Sequence, residues 1–235
     1  MPIDRAAIEK THALIRPRVR RTPVLETSGA DLGLPPFPLT LKLELMQHSG
    51  SFKARGAFNR LLAARERGEL DPSAGVVIAS GGNAGLANAY AAATLGVSAT
   101  VFVPETAPLV KVDRIREYGA EVRQVGAEYA EASEAAIEYA KTRGALLSHA
   151  YDHLEVAAGA GTLAEEIFED EPSIQTLIVA VGGGGLYAGI AAAARDRAPG
   201  PVGLPVDRSL EPLLPGFLSA SAAMTRVVEQ IQRLQ

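Results

Sequence analysis

From residue 75 onward, short apolar runs alternate with helix-forming stretches, and that rhythm leaves few architectures open. Residues 76–79 (Val-Val-Ile-Ala) form a continuous apolar run of the kind buried on both faces of a parallel sheet. An alanine-rich helix over 84–95, closed by Gly96, leads to a strand over 99–103. A helix over 108–118 closed by Gly119, a strand over 121–125, a helix over 128–142 closed by Gly144 and a strand over 145–148 continue the series. A further helix over 157–168 precedes a strand over 176–181, four consecutive glycines and a helix over 186–194. Strands and helices alternating at this spacing predict a parallel sheet with crossover helices.

The chain before residue 75 is less regular. Asp4 caps a helix over 4–16 that Pro17 ends. A short extended piece over 22–27 and a turn-rich connection through Gly33, Pro35, Pro36 and Pro38 lead to an alternating strand over 39–45. Beyond Arg195 lie five prolines between 199 and 215, and then a helix over 219–234 with Met224, Val227, Val228, Ile231 and Leu234 as its apolar stripe.

Composition narrows the chemistry. A net charge of −4 and the lack of any long run of like charges argue against a nucleic-acid partner. With no cysteine, disulfides, thiolate catalysis and cysteine-based zinc sites are excluded, and a reducing cytoplasm is the expected location. His149 and His153 make the one close histidine pair, but no carboxylate pattern joins them, so no metal is expected. Residues 172–194 carry no charge, yet the tetraglycine divides them into strand, loop and helix, so no membrane span is expected.

Three short stretches carry the candidate chemistry. In Ser49-Gly50-Ser51-Phe52-Lys53-Ala54-Arg55-Gly56-Ala57, Ser49, Gly50 and Ser51 suit a turn and N-cap, which places Lys53 in the first turn of a helix ending near Gly68. A helix start disfavours the ammonium form, burial acts the same way, and a neutral amine is what a Schiff-base lysine needs. Gly182, Gly183, Gly184 and Gly185 stand between an apolar run and a helix, where converging N–H groups cradle a phosphate or carboxylate. The P-loop pattern fails for lack of Gly-Lys-Ser/Thr, and the dinucleotide fingerprint finds only Asp207 as its acidic residue. Ser80-Gly81-Gly82-Asn83-Ala84-Gly85 repeats the strand–loop–helix layout and adds a hydroxyl and an amide. Singly, each has a plain alternative: a surface lysine, a tight turn, a capping loop. Together they suit a phosphorylated aldehyde held by one loop, a substrate carboxylate held by the other and a Schiff base to Lys53, which points to pyridoxal 5'-phosphate.

These residues resemble the threonine/serine dehydratase and serine racemase branch of the fold type II pyridoxal-phosphate enzymes. The likeness runs from about residue 5 to 195 and includes Val103-Pro104-Glu105, Tyr118-Gly119-Ala120-Glu121-Val122 and Ala158-Gly159-Ala160-Gly161-Thr162. It implies an α/β fold of two open parallel-sheet domains, the larger formed by residues 1–45 and 150–235 and incomplete, the smaller by 46–149. It implies that Lys53 forms the Schiff base and moves the substrate α-proton, that Phe52 packs on the cofactor ring and that Asn83 bonds its phenolic oxygen. Gly182 to Gly185 and the Leu186 N–H would bind the phosphate, and Ser80, Gly81, Asn83 and Ala84 the substrate. The implied reaction is β-elimination of L-threonine or L-serine to a 2-oxo acid and ammonia.

Gly81 replaces the second serine of racemases in this branch and argues for a dehydratase. Ala84, in place of a common histidine, leans toward threonine synthase; Ala54 leans back to dehydratases. Family members run on further past the tetraglycine helix, and no hydroxyl among Ser209, Ser219, Ser221 and Thr225 is identified as the partner of the pyridine nitrogen. Two alternatives therefore stay open: another fold type II reaction, such as threonine synthase or a β-replacement, or a truncated non-catalytic remnant that binds the cofactor or a partner. Sheet edges left apolar by such a loss predict a homo-oligomer or poor solubility.

Overall fold

The computed structural model describes residues 3–195; the proline-rich stretch, the expected helix over 219–234, Asp207 and the four hydroxyls just named lie outside them. Helix α1 (Arg5–Ile15) is capped by Asp4, whose carboxylate accepts from the Ala7 N–H at 2.8 Å. Strands β1 (Val24–Ser28) and β2 (Pro38–Lys42) form an antiparallel pair in the register Val24↔Lys42. The alternating pattern extends to Leu45, but Glu44–Met46 turn into a 3₁₀ helix and end the strand early.

Then follow α2 (Lys53–Glu66), β3 (Val76–Ala79), α3 (Asn83–Leu95), β4 (Ala99–Val103), α4 (Leu109–Arg116), β5 (Glu121–Gln124), α5 (Tyr129–Arg143), β6 (Leu146–Leu147), α6 (Leu154–Asp170) and α7 (Gly185–Ala194). The expected parallel sheet is present, in the order β5–β4–β3–β6. All four β3 residues are buried. Ile78 packs with residues of α3 and α4, and Val77 and Ala79 pack with Ala132, Ala136 and Ala140 of α5 on the other face. Gly96 and Gly144 end α3 and α5 at φ 66° and 65°, the left-handed cap that suits glycine. Strand β6 is two residues long, although the hydrogen bond from Ser148 N to Val77 O (2.8 Å) extends its alignment with β3.

The chain steps from β3 to β4 to β5 and then returns across the other face to place β6 on the free side of β3. The direction of winding therefore reverses between β3 and β6. In open α/β sheets that reversal opens a crevice at the carboxyl ends of the two strands, here residues 80–83 and 148–153.

The strand expected over 176–181 does not form. Leu177 and Val179 pack against the cluster built from α1, α6 and α7, while Ile178 between them is 82% exposed. The period-two alternation of a strand is present, but among the described residues no neighbour supplies the ladder of hydrogen bonds that makes it one. Among the same residues no helix is long and apolar enough to cross a membrane.

Helices α6 and α7 touch backbone to backbone. A Cβ on Gly189 would stand 2.2 Å from Ala157 O and 2.6 Å from Gly161 N, and neither main-chain atom can yield. Gly189→Ala is expected to lower the unfolding free energy by about 1–3 kcal/mol, the usual range for overpacking, in urea denaturation. An unchanged midpoint would show that the two helices can separate freely.

Candidate active site

Lys53 is the first residue of α2. The turn before it is strained and clamped: Ser49 has φ 58°, and the buried Gln47 accepts from Arg20 N (2.9 Å) and donates to Arg20 O (2.7 Å). The expected serine cap is replaced by Phe52, which offers no capping side chain; the Ser51 hydroxyl accepts only a long bond, 3.4 Å, from Lys53 N. Two residues on, the guanidinium of Arg55 is fully buried between Glu44 and Glu166 and anchors the same helical turn. Lys53 thus leaves a rigid base.

Its ammonium donates to Ala150 O at 2.7 Å and lies 4.8 Å from the centroid of the Phe52 ring. Burial pushes the lysine pKa below its ordinary value. The carbonyl and the ring both favour a charged amine and act against that shift, but neither supplies a counter-charge, so the direction stays downward. A half-buried amine at the mouth of a sheet crevice, with no carboxylate bonded to it among the described residues, is suited to nucleophilic attack on an aldehyde.

The loop after β3 lies at the same edge. Gly82 N donates to the Ser80 hydroxyl (3.3 Å), and the first bond of α3, from Leu86 N to Gly82 O, leaves the N–H groups of Asn83, Ala84 and Gly85 without a helical acceptor. A Cβ on Gly85 would stand 2.0 Å from Ser80 O, so glycine is required for α3 to start this close to β3. The Asn83 side chain is exposed and makes no hydrogen bond among the described residues. Gly81 has room: its Cβ would meet nothing nearer than Val103 Cγ1 at 3.5 Å.

The tetraglycine ends in Gly184 at φ 87°, the N-cap of α7. Since Ala188 N donates to Gly184 O, the N–H groups of Gly185, Leu186 and Tyr187 have no intrahelical acceptor and form an anion cradle. At Gly182 and Gly184 an added Cβ would meet no atom within 4 Å, so the approach to these two glycines is open.

Of the expected residues, Phe52, Lys53, Gly185 and Leu186 line one crevice, together with Ala150 and Tyr151. Ser80, Gly81, Asn83, Ala84, Gly182, Gly183 and Gly184 do not line it; the β3 loop is joined to it through Ala150, which packs on the cluster containing Ala84. A larger hollow beside Arg20, His48, Tyr90 and Arg114 contains none of these residues.

The loop joining β6 to α6 was invisible in the sequence. Ala150 receives the lysine, and Tyr151 packs on Gly183 and Gly185, so one short connection touches both the Lys53 helix and the tetraglycine. Ala150 acts through a main-chain carbonyl, which no residue type signals. The usable hint is its position at the exit of a strand; that this strand lies beside β3 is seen only in the fold.

A family model described as pyridoxal-phosphate dependent enzyme matches residues 15–230. The chain is 40% identical over 194 residues to an L-threonine ammonia-lyase of Geobacter sulfurreducens, an alignment covering 82% of this chain and 47% of the relative. The serine racemase of Dictyostelium discoideum superposes with a TM-score of 0.75 at 36% identity, over 82% of this chain and 62% of that one. A threonine deaminase of T.th. gives 0.72 at 36% identity, over 82% and 61%. The chain thus spans about half the length of the curated relative it matches. With a family match over most of its length and these structural neighbours, the chain belongs to the pyridoxal-phosphate dependent enzymes and has their type II fold.

Proposed function

We propose that this chain carries the site of a pyridoxal-phosphate-dependent ammonia-lyase that deaminates L-threonine or L-serine to a 2-oxo acid. The observation that carries the reading is the Lys53 amine, half-buried and held by Ala150 O at 2.7 Å, in one crevice with the N-terminus of α7. The residues fit the cofactor: the α7 N–H groups suit a phosphate, free space lies beside Gly182 and Gly184, and Lys53 suits an aldehyde. When bound, pyridoxal phosphate supplies an electron sink for negative charge at the substrate α-carbon.

The roles of the side chains follow as part of this proposal. Gly182 to Gly185 and the Leu186 N–H hold the phosphate, Phe52 covers one face of the ring and Asn83 donates to the phenolic oxygen. Ser80 with the N–H groups of its loop, at Gly81, Asn83 and Ala84, orients the substrate carboxylate. Lys53 Nζ, once neutral, accepts the α-proton, and hydroxide leaves from the β-carbon. Gly81 has no proton to deliver from the opposite face, which supports elimination over racemisation.

A second reading is favoured by the extended segment 176–181, which finds no ladder partner among the described residues: a cofactor-binding chain without turnover. The two are separated by adding pyridoxal phosphate, trapping it with borohydride, locating the label by peptide mass spectrometry and assaying 2-oxo acid and ammonia with L-threonine and L-serine. Label at Lys53 with release of 2-oxo acid supports the lyase. Label without release selects the non-catalytic reading, and no label at Lys53 sinks the cofactor assignment.

The division into a larger domain (1–45 with 150–235) and a smaller one (46–149) belongs to the same proposal; the shared cluster of α1, α6 and α7 supports it. So does a homo-oligomer, supported by the exposed apolar Leu45, Leu109 and Val110 and measurable by analytical ultracentrifugation. A cytoplasmic location rests on the absence of cysteine.

A further inference from the structure

We propose that Tyr151 is a gate on the phosphate cradle: its ring covers Gly183 and must swing away before a phosphate group can seat. The proposal rests on the reading that the tetraglycine takes a phosphate. A Cβ built on Gly183 would stand 2.3–2.4 Å from Cγ, Cδ1 and Cδ2 of Tyr151, so the ring lies flat on the glycine backbone. The main chain follows: a Cβ on Gly185 would stand 2.7 Å from Tyr151 O. Any side chain at either glycine would expel this contact, so both glycines fit the tyrosine as well as an anion.

The crevice between Lys53 and the α7 N-terminus, with Tyr151 in its wall, leaves about 10 Å³ for the centres of water-sized spheres. That is below the roughly 300–1,000 Å³ of small-molecule sites. Removing a phenol ring from its wall is the change that enlarges it. The ring is also poorly anchored: Tyr151 is 41% exposed, and its hydroxyl has no hydrogen-bond partner among the described residues. What holds it is a local turn in which His149 Nδ1 accepts from Tyr151 N (3.3 Å) and Asp152 N (2.8 Å), with the two rings edge to face at 4.8 Å.

The same turn holds the lysine. Ala150 O, which accepts the Lys53 ammonium, is the carbonyl of the peptide bond that joins Ala150 to Tyr151. A swing of Tyr151 that turns this peptide plane withdraws the acceptor from Lys53 as it uncovers Gly183. One movement therefore opens the phosphate cradle and frees the amine that the cofactor must meet. Tyr151 acts through these neighbours and is a positioning residue.

The sign of one measurement separates a gate from a passive wall. If the covered form is nine-tenths of the population, Tyr151→Ala tightens apparent affinity for pyridoxal phosphate about tenfold, and uptake accelerates in step. A wall residue that contacts the bound cofactor would weaken binding when truncated. Tyr151→Phe, which keeps the ring, is expected to restore the slow uptake of the native chain. The experiment is a stopped-flow titration of native chain, Tyr151→Ala and Tyr151→Phe with pyridoxal phosphate, followed by visible absorbance. It is run beside a titration with inorganic phosphate followed by ³¹P line width. Faster uptake and tighter phosphate binding in Tyr151→Ala support the gate, and equal or weaker binding of both probes overturns it. If no variant takes up pyridoxal phosphate at Lys53, the cofactor reading falls. The phosphate titration alone then decides the gate, tighter binding in Tyr151→Ala upholding it.

Discussion

Lys53→Ala is expected to abolish 2-oxo acid release from L-threonine, a loss of roughly 10⁴-fold or more, since removing a positioned proton-transfer group alone costs up to that much. The loss should be confined to chemistry. The side chain makes one hydrogen bond, to Ala150 O, and lies at the rim of the sheet crevice, so the thermal midpoint should move little. The sign of any stability change follows from burial. The folded state holds the Lys53 pKa below its unfolded value of about 10.4, so the native ammonium is disfavoured at neutral pH. That penalty is fully present below the folded pKa and fades as pH rises toward the unfolded one. Lys53→Ala removes it and should be neutral or slightly stabilising at pH 7. Lys53→Arg sharpens the test, because a guanidinium cannot deprotonate to attack an aldehyde. Both variants should take no borohydride-trapped label, whereas the native chain labels faster as pH rises through the lowered lysine pKa. Full turnover in Lys53→Ala would falsify the assignment.

What could be read in the chain depended on whether the signal was local. The β3–α3–β4–α4–β5–α5 series is legible because each element carries its own period and stop: an apolar run for the strand, Gly96 or Gly144 for the helix end. Lys53 at a helix start and the two glycine loops are legible for the same reason. The segment 176–181 has the correct local pattern and still forms no strand, because a ladder needs a neighbour that the pattern cannot supply. The reversal of winding at β3 and β6 cannot be seen in a linear series of strands, yet it brings Ala150 and Tyr151 to Lys53, 97 residues away along the chain from Lys53 to Ala150. The ion network around Arg55 is hidden likewise: Glu44 lies 11 residues before it and Glu166 lies 111 after, and no spacing rule joins them.

Arg55→Ala is expected to destabilise the fold by about 3–5 kcal/mol at pH 7, the range for removing one partner of a buried ion pair. The guanidinium has no solvent exposure and forks to both carboxylates, with Nη1 to Glu166 Oε1 at 2.7 Å, Nη2 to Glu166 Oε2 at 2.9 Å and Nη2 to Glu44 Oε1 at 2.8 Å. Glu166 also meets Lys42 Nζ at 3.1 Å, and Lys42 bonds Asp170 at 2.9 Å, so the network ties β2, α2 and α6 together. Burial raises the Glu166 pKa, but Arg55 and then Lys42 more than offset it, and the net shift is downward. For Asp170 burial is likewise outweighed by Lys42 and Arg21. Groups with depressed pKa values stabilise the fold above their unfolded values, about 4.3 and 3.9, and lose that contribution as pH falls through the folded ones. Without Arg55, Glu166 keeps its burial and only Lys42 as a partner, so its pKa rises. The gap between native chain and variant in urea denaturation should therefore be widest at pH 7 and narrow below about pH 4, where the carboxylates of the unfolded chain are protonated. Arg55→Lys should recover only part of the loss, because an ammonium cannot fork to two carboxylates. A pH-independent gap would mean that Arg55 stabilises the fold by packing and not by charge. Because Arg55 lies two residues beyond Lys53 in the first turn of α2, Arg55→Lys should also slow labelling of Lys53 by pyridoxal phosphate under conditions where the protein stays folded, since the helix turn that aims the lysine is the turn this network holds.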